Sequence, residues 1–416
     1  MRYALLDLIG CQHCHAPLTS FTAREIPSEM PQGILPGASR VASGACIGPV
    51  AASGRDTALG SSLKRHAHAS SDPARNFTVE IEEGLLICAD CGRWYPIIGQ
   101  LPEILPDHLR SAAREAEIYG AMAGALPADV RSLLDTFVPR DGAAADDGAH
   151  HKTSEMSITD KIDDPSFFGP GYTSPFNLWN PEFTLYLISL FGAVLRVLEI
   201  RKGETVVDSG CGYAWTTEWL HRAGVPAVGV DISRVYPEIG IRRMGSNRPH
   251  LVIGDVENLP LQTASADAIL AYESFHHIPD RPRAMAGYDR VLREGGRVVL
   301  AEPGAAHEHA EVSVDVMQKY GILERGMELD DVMAYAAGTR LTSVEQMFLT
   351  KMTAADAGAL VGHDLLRARC TTEGHVFRLA RGDAAARFSS LDAPRRRLSP
   401  IAKRYIKGAL RRIGLD

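Results

Sequence analysis

Short apolar runs alternate with segments of helical spacing through the middle of this chain. Thr205–Val207, Ala227–Val230, Leu251–Ile253, Ala268–Ala271 and Arg297–Ala301 each read as a short buried strand. The segments between them carry helical patterns, and the first opens at Thr216. Pro181–Leu198 spaces Phe, Tyr and Leu as a helix packing on a sheet does. Five strands with interposed helices predict an α/β fold with a doubly wound sheet. Val314–Tyr320 and Leu329–Ala337 also have helical spacing, so 305–350 reads as an inserted helical region, expected to form an acceptor pocket. Val376–Ala380 reads as a closing strand.

The junction after the first strand is the most informative stretch. ETVVDSGCGYA, residues 204–214, ends its apolar run in Asp208, then places Gly210 and Gly212 before the helix. Glycines let a ligand approach the backbone where a Cβ would clash, and the helix N-terminus offers free N–H groups. The second strand ends in Asp231, where a carboxylate can take both hydroxyls of a ribose. Gly254-Asp255 follows the third strand and His276-His277 the fourth. A pyrophosphate needs G-x-G-x-x-G, but here the turn reads G-C-G-Y-A-W, with Trp215 at the last glycine position. That departure disfavours a dinucleotide and suits a phosphate-free ligand. A Rossmann-like domain without a cofactor is the plain alternative.

Together VVDSGCG, AVGVDIS, GDVENLPLQTASADAILAYESFHHIPD and RVLREGGRVVLAEPG resemble the class I S-adenosylmethionine-dependent methyltransferases, most of all the branch that includes ubiquinone/menaquinone-biosynthesis enzymes. The resemblance covers roughly residues 200–305. It implies a Rossmann-like methyltransferase sheet that binds S-adenosyl-L-methionine. It places Asp208, Gly210 and Gly212 along the methionine moiety, Asp231 on the ribose, and Asp255 and Val256 around the adenine. Glu273 would face cofactor or substrate. The third small position of the turn is Ala214, a variation the family tolerates.

Cys11-x-x-Cys14 and Cys88-x-x-Cys91 make two knuckles. Four thiolates suit tetrahedral Zn2+ in a structural role, with bonds of about 2.3 Å. The interval between them far exceeds the usual spacing of about 15–20 residues. Two reversible disulfides, or thiol pairs without metal, are the other readings. The flanks RYALLDLIG and GRWYPIIGQLPEILP resemble the short zinc-ribbon family typified by the activator subunit of tRNA methyltransferases, over residues 1–20 and 76–110. Residues 21–75, rich in Ala, Ser, Gly and Pro, then read as a flexible insertion without a core. Cys211, inside the glycine turn, reads as a small filler.

Methyl transfer from a sulfonium is an in-line displacement in which the protein mainly aligns the acceptor and excludes water. An oxygen acceptor also needs a base, and histidine is the natural one near neutral pH. The candidates are His276 and His277 after the fourth strand, and His307 and His309 after the fifth. The first pair has a helix-capping alternative. The second has two: exposed loop histidines, or a metal held with a carboxylate. Phe168–Trp179 is aromatic and loop-like, expected either to close over the cofactor with Tyr172 as a contact or to anchor the preceding segment in the core.

Composition narrows the class. The chain has 416 residues and a net charge of −7, which argues mildly against a dedicated nucleic-acid binder. Residues 381–416 hold ten Lys/Arg against three Asp/Glu, or +7, leaving −14 on the rest. That tail reads as a basic amphipathic helix from about Pro400, either docked on the protein or resting on a membrane surface or anionic partner. The N-terminus lacks a signal-peptide pattern, no run approaches 18 apolar residues, and paired C-x-x-C knuckles point to a reducing cytoplasm. The expected domains are a zinc ribbon over 1–110, a linker over 111–158 that includes the polar stretch RDGAAADDGAHHKT, a methyltransferase domain over 159–385 and the tail over 386–416.

The sequence predicts a cytoplasmic methyltransferase acting on a small molecule at oxygen. A sugar or glycan-building intermediate is the first expectation, from the polar His/Glu-rich acceptor side. RNA methylation, with ribbon and tail gripping phosphates, is the second, although YESF stands where base N-methyltransferases carry Asn/Asp-Pro-Pro-Tyr. A non-catalytic partner-binding scaffold is the third. The oligomeric state has no signature here.

Overall fold

The computed structural model describes residues 1–29, 57–66, 75–134, 148–158, 173–177, 180–350 and 372–381. Tyr172, Cys46, Cys370 and the basic tail lie outside them. One mixed sheet of eleven strands runs through the described residues. Its strands are β1 (Leu18–Pro27), β2 (Val79–Cys88), β3 (Trp94–Ile98), β4 (Leu101–Ile104), β5 (Val206–Ser209), β6 (Ala227–Asp231), β7 (His250–Gly254), β8 (Ala266–Tyr272), β9 (Leu292–Glu302), β10 (Ser343–Thr350) and β11 (Thr372–Ala380). Their spatial order is 1-2-3-4-7-6-5-8-9-11-10.

The doubly wound centre is as expected. Strands β7, β6, β5, β8 and β9 are parallel. The chain winds outward from β5 through β6 to β7, then returns to β8 on the other side of β5. That reversal leaves a crevice at the carboxyl ends of β5 and β8, where open α/β sheets bind ligands. On the far edge β11 pairs antiparallel with β9, and β10 with β11. Ser343–Thr350 is therefore a strand, not the end of a helical region. Its run SVEQMFLT has neither a period-two nor a helical pattern, so local spacing does not reveal the strand.

The ribbon does not stand apart. Its strands β1, β2, β3 and β4 pair antiparallel, and β4 then pairs parallel with β7, Glu103 opposite Ile253 and Ile104 opposite Gly254. One core spans the junction: Leu5, Leu6, Ile9, Tyr95 and Ile97 pack in the same cluster as Val207, Val252, Leu261 and Tyr288. Gln262 stitches the seam, its amide donating to the carbonyls of Leu6 and Ile9.

Eleven helices cover the described parts of the sheet: α1 (Ala58–His66), α2 (Arg75–Thr78), α3 (Ala112–Ala123), α4 (Ala128–Leu134), α5 (Ala149–Ser157), α6 (Pro181–Leu198), α7 (Trp215–Arg222), α8 (Val235–Met244), α9 (Arg281–Val291), α10 (Glu311–Tyr320) and α11 (Leu329–Ala336). Two expectations are corrected. The insertion is ordered at both ends: β1 runs to Pro27, and α1 buries Leu59 and Leu63 against Leu85, Ile87, Trp94 and Met122. Two leucines four residues apart on one helix face suffice for that small core. Within the stretch expected as a linker, the described residues fold as α3, α4 and α5, and 135–147 lie outside them. Polar α5 is fixed by a buried ion pair instead of an apolar stripe.

Helix α6 starts where Asn180 accepts from the Phe183 N–H at 3.0 Å, with Pro181 in the first turn. Among the described residues it is the one helix long and apolar enough to cross a membrane, although Glu182 and Arg196 interrupt its apolar run. Here it lays Leu190, Phe191, Val194 and Leu198 on the sheet and exposes Leu185 and Leu195.

Candidate active site

The β5–α7 turn is built by residues that tolerate left-handed backbone. Gly210 and Gly212 have φ of 73° and 49°, and Ala214 follows at 58°. At Gly210 a Cβ would meet the Ser274 Cβ at 2.6 Å; at Gly212 it would meet nothing within 4 Å. Gly212 is thus a cradle open to a ligand, while Gly210 is spaced for packing. Trp215 fills the place of a third glycine and stacks edge-on against Phe191 and Tyr272, with centroids 5.1 and 5.5 Å apart. This aromatic wedge holds the start of α7 to α6 and β8.

A cavity of ≈ 270 Å³ opens at the carboxyl ends of the central strands. One wall is Gly210, Gly212, Asp231, Asp255, Val256, Glu273 and His277, all singled out from the sequence. The lining also includes Lys152 and Glu155 from α5, Phe183 and Leu187 from α6, and Ile322 and Glu324 after α10. Ile322 and Glu324 come from the 305–350 region expected to form an acceptor pocket, and Ser174, Pro175 and Asn177 from the segment expected to close over the cofactor; the share of α5 was not foreseen.

Asp231 ends β6 with its carboxylate on the cavity. Oδ2 accepts from the Gly212 N–H at 2.7 Å and Oδ1 from the Ser233 N–H at 2.9 Å. Each oxygen keeps capacity for another donor. Burial pushes its pKa up to about 7. Asp208 is not on the cavity wall: it lies buried under the turn, where Oδ2 accepts from the hydroxyls of Thr216 at 2.6 Å and Thr217 at 2.5 Å. Its Oδ1 is buried without a hydrogen-bond partner.

Asp255 and Glu257 share one cation. The Lys152 ammonium, 4% exposed, donates to Asp255 Oδ2 at 3.0 Å and to Glu257 Oε2. Burial raises the Glu257 pKa, and Lys152 opposes that. The pairing holds α5 against the loop after β7.

Glu273 follows β8 with φ at 50°, unfavourable for a side chain of its size. Its Oε1 accepts from the Tyr186 hydroxyl of α6 at 2.9 Å. Burial lifts its carboxyl to about 7.

The four histidine candidates separate. His277 is on the cavity wall, its Nδ1–H donating to the Leu323 carbonyl at 2.6 Å. His276 is buried behind the wall, with Nδ1 2.6 Å from the Glu302 carboxylate. His307 lies 2.7 Å from Glu324 through Nε2. His309 is 80% exposed, beside Glu308 and away from the cavity. A solvated loop position draws it outward, so His307 and His309 do not act as a pair. Glu324, which faces three of these rings, was not foreseen: it sits between helices without a motif.

At the ribbon tip, one sulfur from each of Cys11, Cys14, Cys88 and Cys91 lies within 4.8 Å of the others. Cys11–Cys91 and Cys14–Cys88 are each 3.5 Å apart, and all four are free thiols. Cys211 is buried as a filler against Leu101, Leu105 and Ile253.

Comparison with known proteins divides the chain in the same way. Residues 207–300 match the methyltransferase-domain family, and residues 2–99 match the Trm112p-like family. Methyltransferase GfsG of Streptomyces halstedii is 30% identical over 38% of this chain and 58% of its own length. The 27-O-demethylrifamycin SV methyltransferase of Amycolatopsis mediterranei is 28% identical over 44% of this chain and 79% of its own. The chain thus spans little more than half of the first relative. A solved complex of the Haloferax volcanii Trm112 methyltransferase activator with a putative methyltransferase aligns at 17% identity, over 49% of this chain and 93% of that one, with a TM-score of 0.40. The chain thus carries a methyltransferase domain over residues 207–300 and a Trm112p-like domain over residues 2–99.

Proposed function

We propose that this protein is an S-adenosylmethionine-dependent methyltransferase that methylates a small molecule at oxygen. The carrying observation is that the methyltransferase-domain match coincides with the cavity on which Gly212, Asp231, Asp255 and Val256 meet. These residues fit the cofactor. Asp231 has two buried acceptor oxygens with spare capacity for ribose hydroxyls. Gly212 leaves its Cβ space open, and Val256 with Ile232 offers apolar contact for an adenine. When bound, the cofactor supplies a methyl group on positively charged sulfur.

The protein's own part is alignment, dryness and one proton. Phe183, Leu187, Tyr272 and Ile322 give the acceptor side an apolar surface that excludes water. Glu273 is the group we assign to take the acceptor's proton. It stands on the wall, its carboxyl is lifted into the neutral range, and Tyr186 orients it. The apolar wall supports a hydroxyl on a largely apolar molecule better than a sugar. The name of the rifamycin relative also specifies an oxygen acceptor, 27-O.

The ribbon's four thiols suit Zn2+ in a structural role. Bonds of about 2.3 Å to a tetrahedral ion put sulfurs about 3.8 Å apart, near the spacing of this cluster. Turnover of adenosylmethionine to adenosylhomocysteine, measured with hydroxylated apolar acceptors in one arm and sugars in the other, tests the reading. Turnover in the first arm supports it. Turnover with sugars alone restores the sugar acceptor, and none in either arm counts against a small hydroxyl acceptor.

A further inference from the structure

A second cluster of groups sits at the rim of the cavity. Glu302, at the end of β9, is fully buried and accepts from the backbone N–H groups of Ser274, Phe275 and His276. It also takes the His276 Nδ1–H at 2.6 Å. With that proton committed, the His276 lone pair is on Nε2. Nε2 faces Glu324 Oε2, 3.5 Å away. That oxygen already accepts from His307 Nε2 at 2.7 Å. His276 Nε2 and Glu324 Oε2 therefore face each other at a spacing longer than an ordinary hydrogen bond.

The spacing has a simple reading. Bonds of about 2.1 Å to a tetrahedral ion put neighbouring N and O ligands about 3.4 Å apart. One ligand atom from each of His276, His277 and Glu324 lies within 4.8 Å of the other two. Each group is also oriented by a neighbour: His276 by Glu302 on its other ring nitrogen, His277 by the Leu323 carbonyl, and Glu324 by His307. Such outer partners orient ligands in metal sites.

We infer that His276, His277 and Glu324 form a binding site for a divalent transition-metal ion. Two imidazoles and a carboxylate suit Zn2+, Co2+ or Mn2+ better than Ca2+ or Mg2+, which prefer all-oxygen sets. His277 and Glu324 line the cavity, so the ion's remaining positions open toward the acceptor. There His277, His276 and Glu324 would hold an ion that supplies a Lewis acid to the acceptor's hydroxyl oxygen. The proton passes to the Glu273 carboxylate, and the electron pair stays on oxygen for the attack. The site stands independently of the methyltransferase reading; this use of it rests on that reading.

The test is cobalt titration of the metal-free full chain, followed by visible spectroscopy and equilibrium dialysis. Cobalt at the cysteines gives a thiolate charge-transfer band, whereas cobalt at this site gives only weaker d–d bands. We expect a second cobalt per chain in the wild type, beyond the one that gives the thiolate band, bound at least ten-fold more weakly in both Glu324→Gln and His277→Gln. Only thiolate-bound cobalt in the wild type, or an unchanged second ion in both variants, overturns the inference. Calorimetry with S-adenosylhomocysteine on the same samples tests the cofactor reading separately.

Discussion

The backbone N–H of Gly212 donates to Asp231 Oδ2 at 2.7 Å, tying the turn after β5 to the end of β6. The contact joins the two strand ends that share the cavity wall, so the glycine turn and the carboxylate are placed by one another.

The two glycines of that turn predict different failures. Gly212→Ala meets nothing within 4 Å, so it costs about 1 kcal/mol of backbone strain and leaves the fold intact. Its methyl group occupies ligand space, and adenosylhomocysteine affinity falls at least ten-fold. Gly210→Ala drives a Cβ into Ser274, whose hydroxyl holds the Ser209 carbonyl at 2.7 Å, and lowers stability by more than Gly212→Ala does. Urea unfolding beside calorimetry separates the two. Equal stability losses would contradict the assignment.

Lys152→Met leaves Asp255 and Glu257 buried without their shared cation. Breaking one side of a buried ion pair costs about 3–5 kcal/mol. The variant therefore unfolds at markedly lower urea and binds adenosylhomocysteine more weakly. A loss below about 1 kcal/mol would mean that α5 is not held by this pair.

Glu273 makes stability depend on pH. Its folded pKa of about 7 exceeds the ordinary 4.5, so between those values the folded protein keeps a proton that the unfolded chain has released. That stability is present below about pH 4.5 and is lost as pH rises through 7. Glu273→Gln removes the titration. The variant should gain stability relative to wild type from pH 5 to 7.5, on the order of 1–2 kcal/mol after screening by cavity water, and level off above. A pH-independent difference would show that burial does not govern this carboxyl.

The ribbon and the methyltransferase sheet share one core, so they should unfold together. Cys88→Ser should abolish zinc binding at the ribbon and lower the midpoint of one transition for the whole protein. A separate low-temperature transition, with the rest unshifted, would contradict the shared core.

Much of the cofactor side was legible in the sequence because its residues follow strand ends. Gly212, Asp231 and Asp255 each lie at or just after the end of an apolar run, and a parallel sheet brings those ends together whatever lies between. The acceptor side was legible only as a region, 305–350, and not by the residues that reach it. Lys152 and Glu155 lie in HHKTSEMS, which lacks an apolar stripe because a buried ion pair holds it. Glu324 and Tyr186 reach the site from elements whose positions no local pattern encodes. The pairing of β4 with β7 was equally hidden, since short strands carry no sign of their partner. His309 shows the converse error: a histidine close in sequence to the site but turned to solvent.

Calorimetric titration of the full chain with S-adenosylhomocysteine, beside Asp231→Ala, tests the central claim most directly. The account predicts one site per chain with micromolar affinity, weakened at least ten-fold in the variant. No heat of binding from folded wild-type protein, or equal affinity in the variant, would contradict it.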